Sequence, residues 1–484
     1  MSLKQKTITG TIWSFIDSFA NQGIQFIVGI ILARILTPEE FGLIGMLTIF
    51  IAVSQSFIDS GFTNALIRKQ NCSQTDYSTV FYFNFIISVF FYFILFFFSG
   101  AISKFFNEPQ LKLLLQILGI GLILNALGII QRTILTKKID FKLQTRVSVV
   151  ASTLSGLIAI YMAYNGYGVW SLVVLTLTRF GFSTILLWIW NNWRPSFTFS
   201  TQSFKELFSF GNKLLLSGLL DTAYQNIYYV IIGKYFAAQQ LGYYIRANQF
   251  QALPSQQLTA IFGRVSYPIL STIQDDVPKL KSAYQKLIKT TMFITLVLML
   301  GMVASAEAMT LVLIGDQWLP SVIYLQLLCF VGIFYPISAL NLNMLKVQGR
   351  SDLFLRLEII KKILAIPVIV IGILLGIKMM IYAMIIIAII GYYLNSYWSG
   401  KLIGYSFWAQ VKDIFPTFIL ASIMAIIVLI VSKIVSIANI WIFLLQLVTG
   451  VTTIIILSEL FKLQSYYYLK EIVLEKLGKQ HGSK

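Results

Sequence analysis

Charge is what this sequence is short of. Only 12% of its 484 residues are Asp, Glu, Lys or Arg, against roughly 25% in a soluble globular chain. That excludes a water-soluble domain as the main body. Histidine is nearly absent: His481 stands alone in the tail HGSK, is read as inert, and leaves no basis for histidine acid–base chemistry or a histidine metal centre. Cys72 and Cys329 lie far apart and form neither a disulfide framework nor a redox or zinc spacing. Long polar connections are missing too. The longest, such as Asn191 to Glu206, hold fewer than about twenty residues and leave no room for a soluble domain.

What the chain has instead is hydrophobicity, at 57% of residues. Apolar runs of about 20 residues, the length of one membrane-crossing helix, recur along it. Bounded by charges and turn residues they give fourteen spans, at 10–33, 41–66, 78–103, 111–134, 147–165, 168–190, 207–233, 240–262, 287–311, 319–344, 357–377, 379–400, 414–434 and 439–460. The first has no small-residue cleavage site after it and carries a polar stripe, so it reads as a retained helix and not a signal peptide. The expected fold class is an all-α membrane protein.

The net charge of +18 would suggest nucleic acid in a soluble protein. Here the basic residues sit at span ends, so they set topology and no nucleic-acid partner is expected. Of the 37 Lys and Arg residues, 27 fall on the side of the N-terminus. Six (Arg34, Lys104, Lys112, Lys234, Lys378 and Lys433) fall on the other side, and Arg179, Lys213, Arg246 and Arg264 lie inside spans or at their edges. A bias that keeps its sign through every loop fits an even number of spans with both termini cytoplasmic. The basic stretch from Arg132 to Arg146 belongs to this pattern, with anionic headgroups as its other reading.

The first span breaks the apolar rule. Ser14, Asp17, Ser18, Asn21, Gln22 and Gln25 recur at steps of three and four and so share one helical face. An acid at the bilayer centre costs roughly 3 kcal/mol or more, so this face looks at protein or water. The seventh span repeats it. Asp17, Asn21, Gln22 and Gly29 correspond to Asp221, Gln225, Asn226 and Gly233 at an offset of 204, and Phe41-Gly42-Leu43 corresponds to Leu241-Gly242-Tyr243 at 200. The offset equals six spans, which implies two parallel six-helix lobes about an axis along the membrane normal. The expected division is 1–200 (helices 1–6), 201–405 (helices 7–12), 406–463 (helices 13 and 14) and a cytoplasmic tail at 464–484. The two stripes are expected to face each other across a central cavity.

Longer stretches carry a resemblance. Ala33-Arg34-Ile35-Leu36-Thr37-Pro38-Glu39-Glu40-Phe41-Gly42 resembles the first-loop signature of polysaccharide transporters, and Asp59-Ser60-Gly61-Phe62-Thr63-Asn64-Ala65-Leu66-Ile67 the end of their second helix. Leu241-Gly242-Tyr243-Tyr244 with Arg246-Ala247, Pro254, Tyr267-Pro268-Ile269-Leu270-Ser271 and Gln274-Asp275 is similar to their eighth helix and following loop. Leu313-Ile314-Gly315-Asp316-Gln317-Trp318 is similar to their ninth-to-tenth connection. These stretches cover most of residues 1–350, with looser likeness beyond. The chain thus resembles Wzx-type flippases of the multidrug/oligosaccharidyl-lipid/polysaccharide exporter superfamily. The resemblance implies fourteen helices, two six-helix lobes and a V-shaped central cavity. It also implies movement of undecaprenyl-pyrophosphate-linked oligosaccharides from the cytoplasmic to the outer leaflet of a bacterial inner membrane. No cofactor or metal is implied. A proton or sodium gradient is the implied driving force, and membrane lipid and a polysaccharide polymerase or ligase are the implied partners.

A lipid-linked sugar presents a pyrophosphate that calls for cations and hydroxyls that call for amides and carboxylates. Arginine suits the phosphates because its planar fork donates bidentately. Arg246, with Asn248 and Gln249 beside it, and Arg179, mid-span among Thr176, Thr178 and Ser183, are the candidate cations. Asp17, Asn21, Gln22, Gln25, Asp59, Asp221, Gln225 and Asn226 complete the candidate cavity lining. Asp17, Asp59 and Asp221 can each pair with a cation between helices, hold sugar, or couple transport to an ion. Lys213 marks a cytoplasmic helix end. Pro254, Pro336 and Pro367 interrupt helical runs and serve as structural kinks or hinges.

Two other functions compete. A drug exporter of the same superfamily would normally have twelve helices and a smaller, more acidic or aromatic pocket. A membrane glycosyltransferase or polymerase needs acids in an outer loop. Glu39 and Glu40 lie in the first one, yet no further acid cluster, histidine pair or metal-ligand spacing joins them.

Overall fold

The computed structural model describes residues 3–435 and 437–481, with side chains from Trp13 onward except at 265, 472, 473 and 475–481. The side chains of Lys4, Lys6, Lys476, Lys479 and His481, and residue Lys484, lie outside the described residues. The described chain is all helix, with no strand. Each expected span coincides with a helix or with a broken pair. These are α1 (Leu3–Ile35), α2 (Pro38–Asp59) with α3 (Phe62–Arg68), α4 (Gln74–Phe106), α5 (Leu111–Leu118) with α6 (Ile120–Lys137), α7 (Phe141–Tyr164) and α8 (Trp170–Trp190). Then follow α9 (Thr201–Tyr235), α10 (Ala238–Ser271), α11 (Val277–Leu313), α12 (Val322–Val347), α13 (Ser351–Leu375), α14 (Ile377–Ile403), α15 (Phe407–Ile434), α16 (Asn439–Leu460) and α17 (Gln464–His481).

Among the described residues eleven of these segments are long and apolar enough to cross a bilayer, which makes this a multi-pass membrane protein. The expected spans outside that set are α9, α10 and α13, and composition explains it. Lys213 and Asp221 interrupt α9, Arg246 and a run of glutamines mark α10, and Arg356, Glu358, Lys361 and Lys362 crowd α13.

Local chemistry sets the helix ends. Thr37 and Glu40 form a reciprocal capping box at α2, with Pro38 at its first position, and Ser73 and Asp76 do the same at α4. Asp140 caps α7 through the amide of Leu143, and Asp276 caps α11 through that of Lys279, each at 3.1 Å. The helices continue through Pro254 and Pro268 in α10, Pro336 in α12 and Pro367 in α13.

The chain divides into two compact units after Gly242. In the first, α7 packs on α1 and α8, α6 on α4 and α8, and α2 along α9. One cluster gathers Phe62, Leu66, Val80, Phe81, Ile130, Ile134 and Leu207, and another gathers Val28, Leu32, Leu36, Ala159, Ala163 and Leu172. The connection from α8 to α9 is strapped to α4 and α6. Gln74 Nε2 donates to the Arg194 carbonyl (2.6 Å), Trp193 Nε1 to Gln74 Oε1 (2.7 Å), Gln131 Nε2 to the Trp193 carbonyl (2.9 Å) and the Ser200 amide to Thr79 Oγ1 (3.0 Å). In the second unit α11 packs against α12, α15 and α16, and α14 against α12 and α13. A buried polar net ties that unit together. Asn341 and Gln410 exchange amide bonds of 3.2 Å, Ser399 Oγ donates to Asn341 Oδ1 (2.6 Å), and Tyr405 donates to Asp413 (2.8 Å), which also pairs with Lys289 (3.1 Å).

Candidate functional site

The polar face of α1 has a partner. Ser148 of α7 donates to Asp17, Ser152 Oγ donates to Asn21 Oδ1 at 2.7 Å, and Gln25 Nε2 donates to the same oxygen at 3.0 Å. Ser148 and Ser152 sit one turn apart on α7, so two hydroxyls meet two residues at the same spacing on α1. This ladder forms one wall of a cavity of about 340 Å³ inside the first unit. The other walls are Gln144, Val147 and Ala151 of α7, Arg132 of α6, and Arg179, Phe180, Ser183 and Leu187 of α8.

Two guanidinium groups and one carboxylate therefore share a space walled by membrane helices. Arg132 is exposed to that space. Its Nη2 donates to Ser183 Oγ at 3.2 Å, and it lies within electrostatic range of both Arg179 and Asp17. Gln144 holds the turn carrying it, donating to Thr136 Oγ1 at 2.8 Å and to the Arg132 carbonyl at 3.1 Å. Arg179 is half-buried, with its guanidinium carbon 5.7 Å from the centre of the Phe180 ring. Among the described residues it makes no hydrogen bond. Two guanidiniums supply ten N–H donors between them, and among the described residues one of these is engaged. Free cationic donors, neutral amides and hydroxyls in a space of this size suit an anionic group joined to a polyol.

Of the residues singled out in the sequence, Asp17, Asn21, Gln25 and Arg179 come together here. The others lie outside this lining. Gln22 is half-buried on α1. Asp59, at the end of α2, accepts from Thr63. Asp221 and Gln225 are exposed on α9, where the Asn226 amide donates to the Thr222 carbonyl at 2.8 Å and the Thr222 hydroxyl pairs with Ser56 at 3.1 Å. Arg246 belongs to the second unit and is 6% exposed. It sits 5.3 Å from the centre of the buried Trp318 ring and donates to Gln249 at 3.1 Å, while Asn248 stands beside it half-buried.

Arg132, Gln144, Ser148 and Ser152 were missed as site residues. Arg132 was counted among the cytoplasmic basic residues. The available signal was periodicity: Gln144, Ser148 and Ser152 follow one another at steps of four, the same pattern that marks α1.

The polysaccharide biosynthesis protein family model matches residues 31–323. The lipopolysaccharide biosynthesis protein WzxC of Escherichia coli (strain K12) is 25% identical over 375 residues, 77% of this chain and 76% of that one. The succinoglycan biosynthesis transport protein ExoT of Rhizobium meliloti (strain 1021) is 27% identical over 319 residues, 66% of this chain and 64% of that one. Among solved structures, the lipid II flippase MurJ in its inward closed conformation superposes with a TM-score of 0.74 at 17% identity, covering 94% of this chain and 98% of that one. The fold is therefore the MurJ fold.

Proposed function

The chain belongs to the polysaccharide biosynthesis protein family, and on that premise we infer that it is a flippase for lipid-linked oligosaccharides. It carries undecaprenyl-pyrophosphate-linked repeat units from the cytoplasmic to the outer leaflet by alternating access, without making or breaking a covalent bond. The observation that carries this reading is the pair Arg132 and Arg179, held inside membrane helices with nearly all their donors unused. The guanidiniums take the pyrophosphate. Asn21, Gln25 and Gln144 lie within the same walls to meet hydroxyls of the first sugar, and the polyprenyl tail stays in lipid.

Position supports loading from the cytoplasm. Arg132 lies five residues from the end of α6 at Lys137, about 8 Å along the axis. Gln144 lies in the first turn of α7. The charge bias supports a cytoplasmic side for that end of both helices and for both chain termini, and the family likeness supports a bacterial inner membrane. The repeat of 1–200 in 201–405 supplies the two lobes that alternate, and an ion gradient drives them. A polymerase or ligase takes the delivered units.

The test is complementation. In a strain lacking its own flippase this chain restores surface polysaccharide and confers no drug resistance, whereas Arg132→Ala and Arg179→Ala, inserted at normal levels, restore little. Rescue by both alanine variants at wild-type level, or drug resistance without rescue, would overturn the reading.

A further inference from the structure

Asp17 is out of place in a cavity for an anion. Among the described residues it is the only carboxylate in the lining, facing Arg132 from α6 and Arg179 from α8, and α7 adds no charged group to that lining. It forms no ion pair with either arginine within 4 Å among the described residues, because Ser148 holds its Oδ1 on the α1–α7 wall. A carboxylate tied back in this way cannot neutralise the arginines by contact, yet it lowers the potential that an incoming phosphate meets. A carrier needs this balance, since cargo has to be held firmly enough to load and loosely enough to leave.

We propose that Asp17 is a specificity and release residue: a fixed negative charge that weakens the arginine pair's hold on the cargo pyrophosphate so that it can be discharged. The proposal rests on the flippase reading of the cavity. Its charge opposes the phosphate at every stage, and the Ser148 hydroxyl sets how far that charge stands from Arg132. Asp17→Asn keeps the shape and the acceptor for Ser148 but removes the charge. Ser148→Ala does the reverse, releasing a full carboxylate to swing onto the guanidiniums.

The two variants shift affinity in opposite directions, which a merely structural role would not do. The full-length chain in lipid nanodiscs is titrated with inorganic pyrophosphate, and flipping is followed in vesicles with a diphosphate-linked lipid. Asp17→Asn binds about tenfold more tightly, lowers the half-saturating cargo concentration and lowers the maximal rate. Ser148→Ala binds several-fold more weakly. Equal or weaker binding by Asp17→Asn overturns the proposal, as does tighter binding by Ser148→Ala should the first variant fail to insert. A wild-type chain that binds no pyrophosphate overturns the cavity reading itself, whereas wild-type binding with no gain in Asp17→Asn overturns only the role of Asp17.

Discussion

A guanidinium among membrane helices is stable only with a partner or with water beside it. Arg246 has the Trp318 ring and Gln249. Arg179 has one ring face and an open cavity. That difference sorts the two candidate cations, and it predicts what substitution does. Arg179→Lys keeps the charge but loses the flat fork, so one charge-assisted bond to the cargo goes, worth about 1.5–3 kcal/mol. The expected result is a tenfold to hundredfold rise in the half-saturating cargo concentration at unchanged expression, read in vesicle flipping assays. Arg246→Lys strips a buried ring contact instead, so thermal stability falls first. A loss of stability in Arg179→Lys matching that of Arg246→Lys would contradict this division. Asp17, Asn21, Gln25 and Arg179 were legible in sequence because each interrupts a run of apolar residues. Arg132 was not, because a basic residue five positions from a cytoplasmic helix end has the same linear signature whether it faces water or a cavity.

At the scale of helices, the repeat found in sequence reappears as a contact. Both copies break identically, with α1 ending at Ile35 and α2 starting at Pro38, and α9 ending at Tyr235 and α10 starting at Ala238. A Cβ at Gly42 would run into the Ala238 carbonyl and one at Gly242 into the Pro38 carbonyl, each standing 3.1 Å from the opposing Cα. The first turns of α2 and α10 therefore cross backbone to backbone, as small residues allow in membrane proteins. Gly42→Ala and Gly242→Ala each force these turns apart and are expected to lower thermal stability by an amount typical of overpacking, about 1–3 kcal/mol, with a double variant losing less than the sum. Full additivity would mean the two glycines do not share one contact. The other end of α9 is held by charge, through Lys69 bridging Asp76 (3.2 Å) and Glu206 (3.0 Å). Burial alone would lower the pKa of the Lys69 ammonium, but its bonds to Glu206 and Asp76 outweigh this and hold it above the usual lysine value. A raised base stabilises fully below its unfolded pKa, about 10.4, and loses that stabilisation as pH rises through the folded value. Lys69→Met should therefore cost less than about 1 kcal/mol, with a gap in melting temperature constant from pH 6 to 9. A gap that narrows within that window would point to another titrating group.

For the whole molecule, hydropathy and the charge bias give different numbers of crossings. Hydropathy alone finds eleven spans and passes over α9, α10 and α13. Two independent signals in the sequence, the charge bias and the repeat, both require the polar helices as spans, and in the structure each of the three is a helix. Polar residues lower the hydropathy of a helix that lines an interior, yet α1, α6, α7 and α8, which wall the cavity, are all among the eleven. The two counts make opposite predictions. Dropping α9 and α10 together leaves every later loop on its side, but dropping α13 inverts everything after it and would place Lys401, Lys412 and Lys462 outside. A background lacking Cys72 and Cys329 allows this to be read with a membrane-impermeant maleimide on intact cells, with single cysteines at exposed sites. Fourteen crossings predict labelling of Lys112→Cys and Ile437→Cys from outside, and of Phe197→Cys and Lys462→Cys only after the membrane is opened. If α13 does not cross, Ile437→Cys is protected and Lys462→Cys labels. Because Lys112 and Phe197 precede α13, they report the same sides in either case and calibrate the measurement.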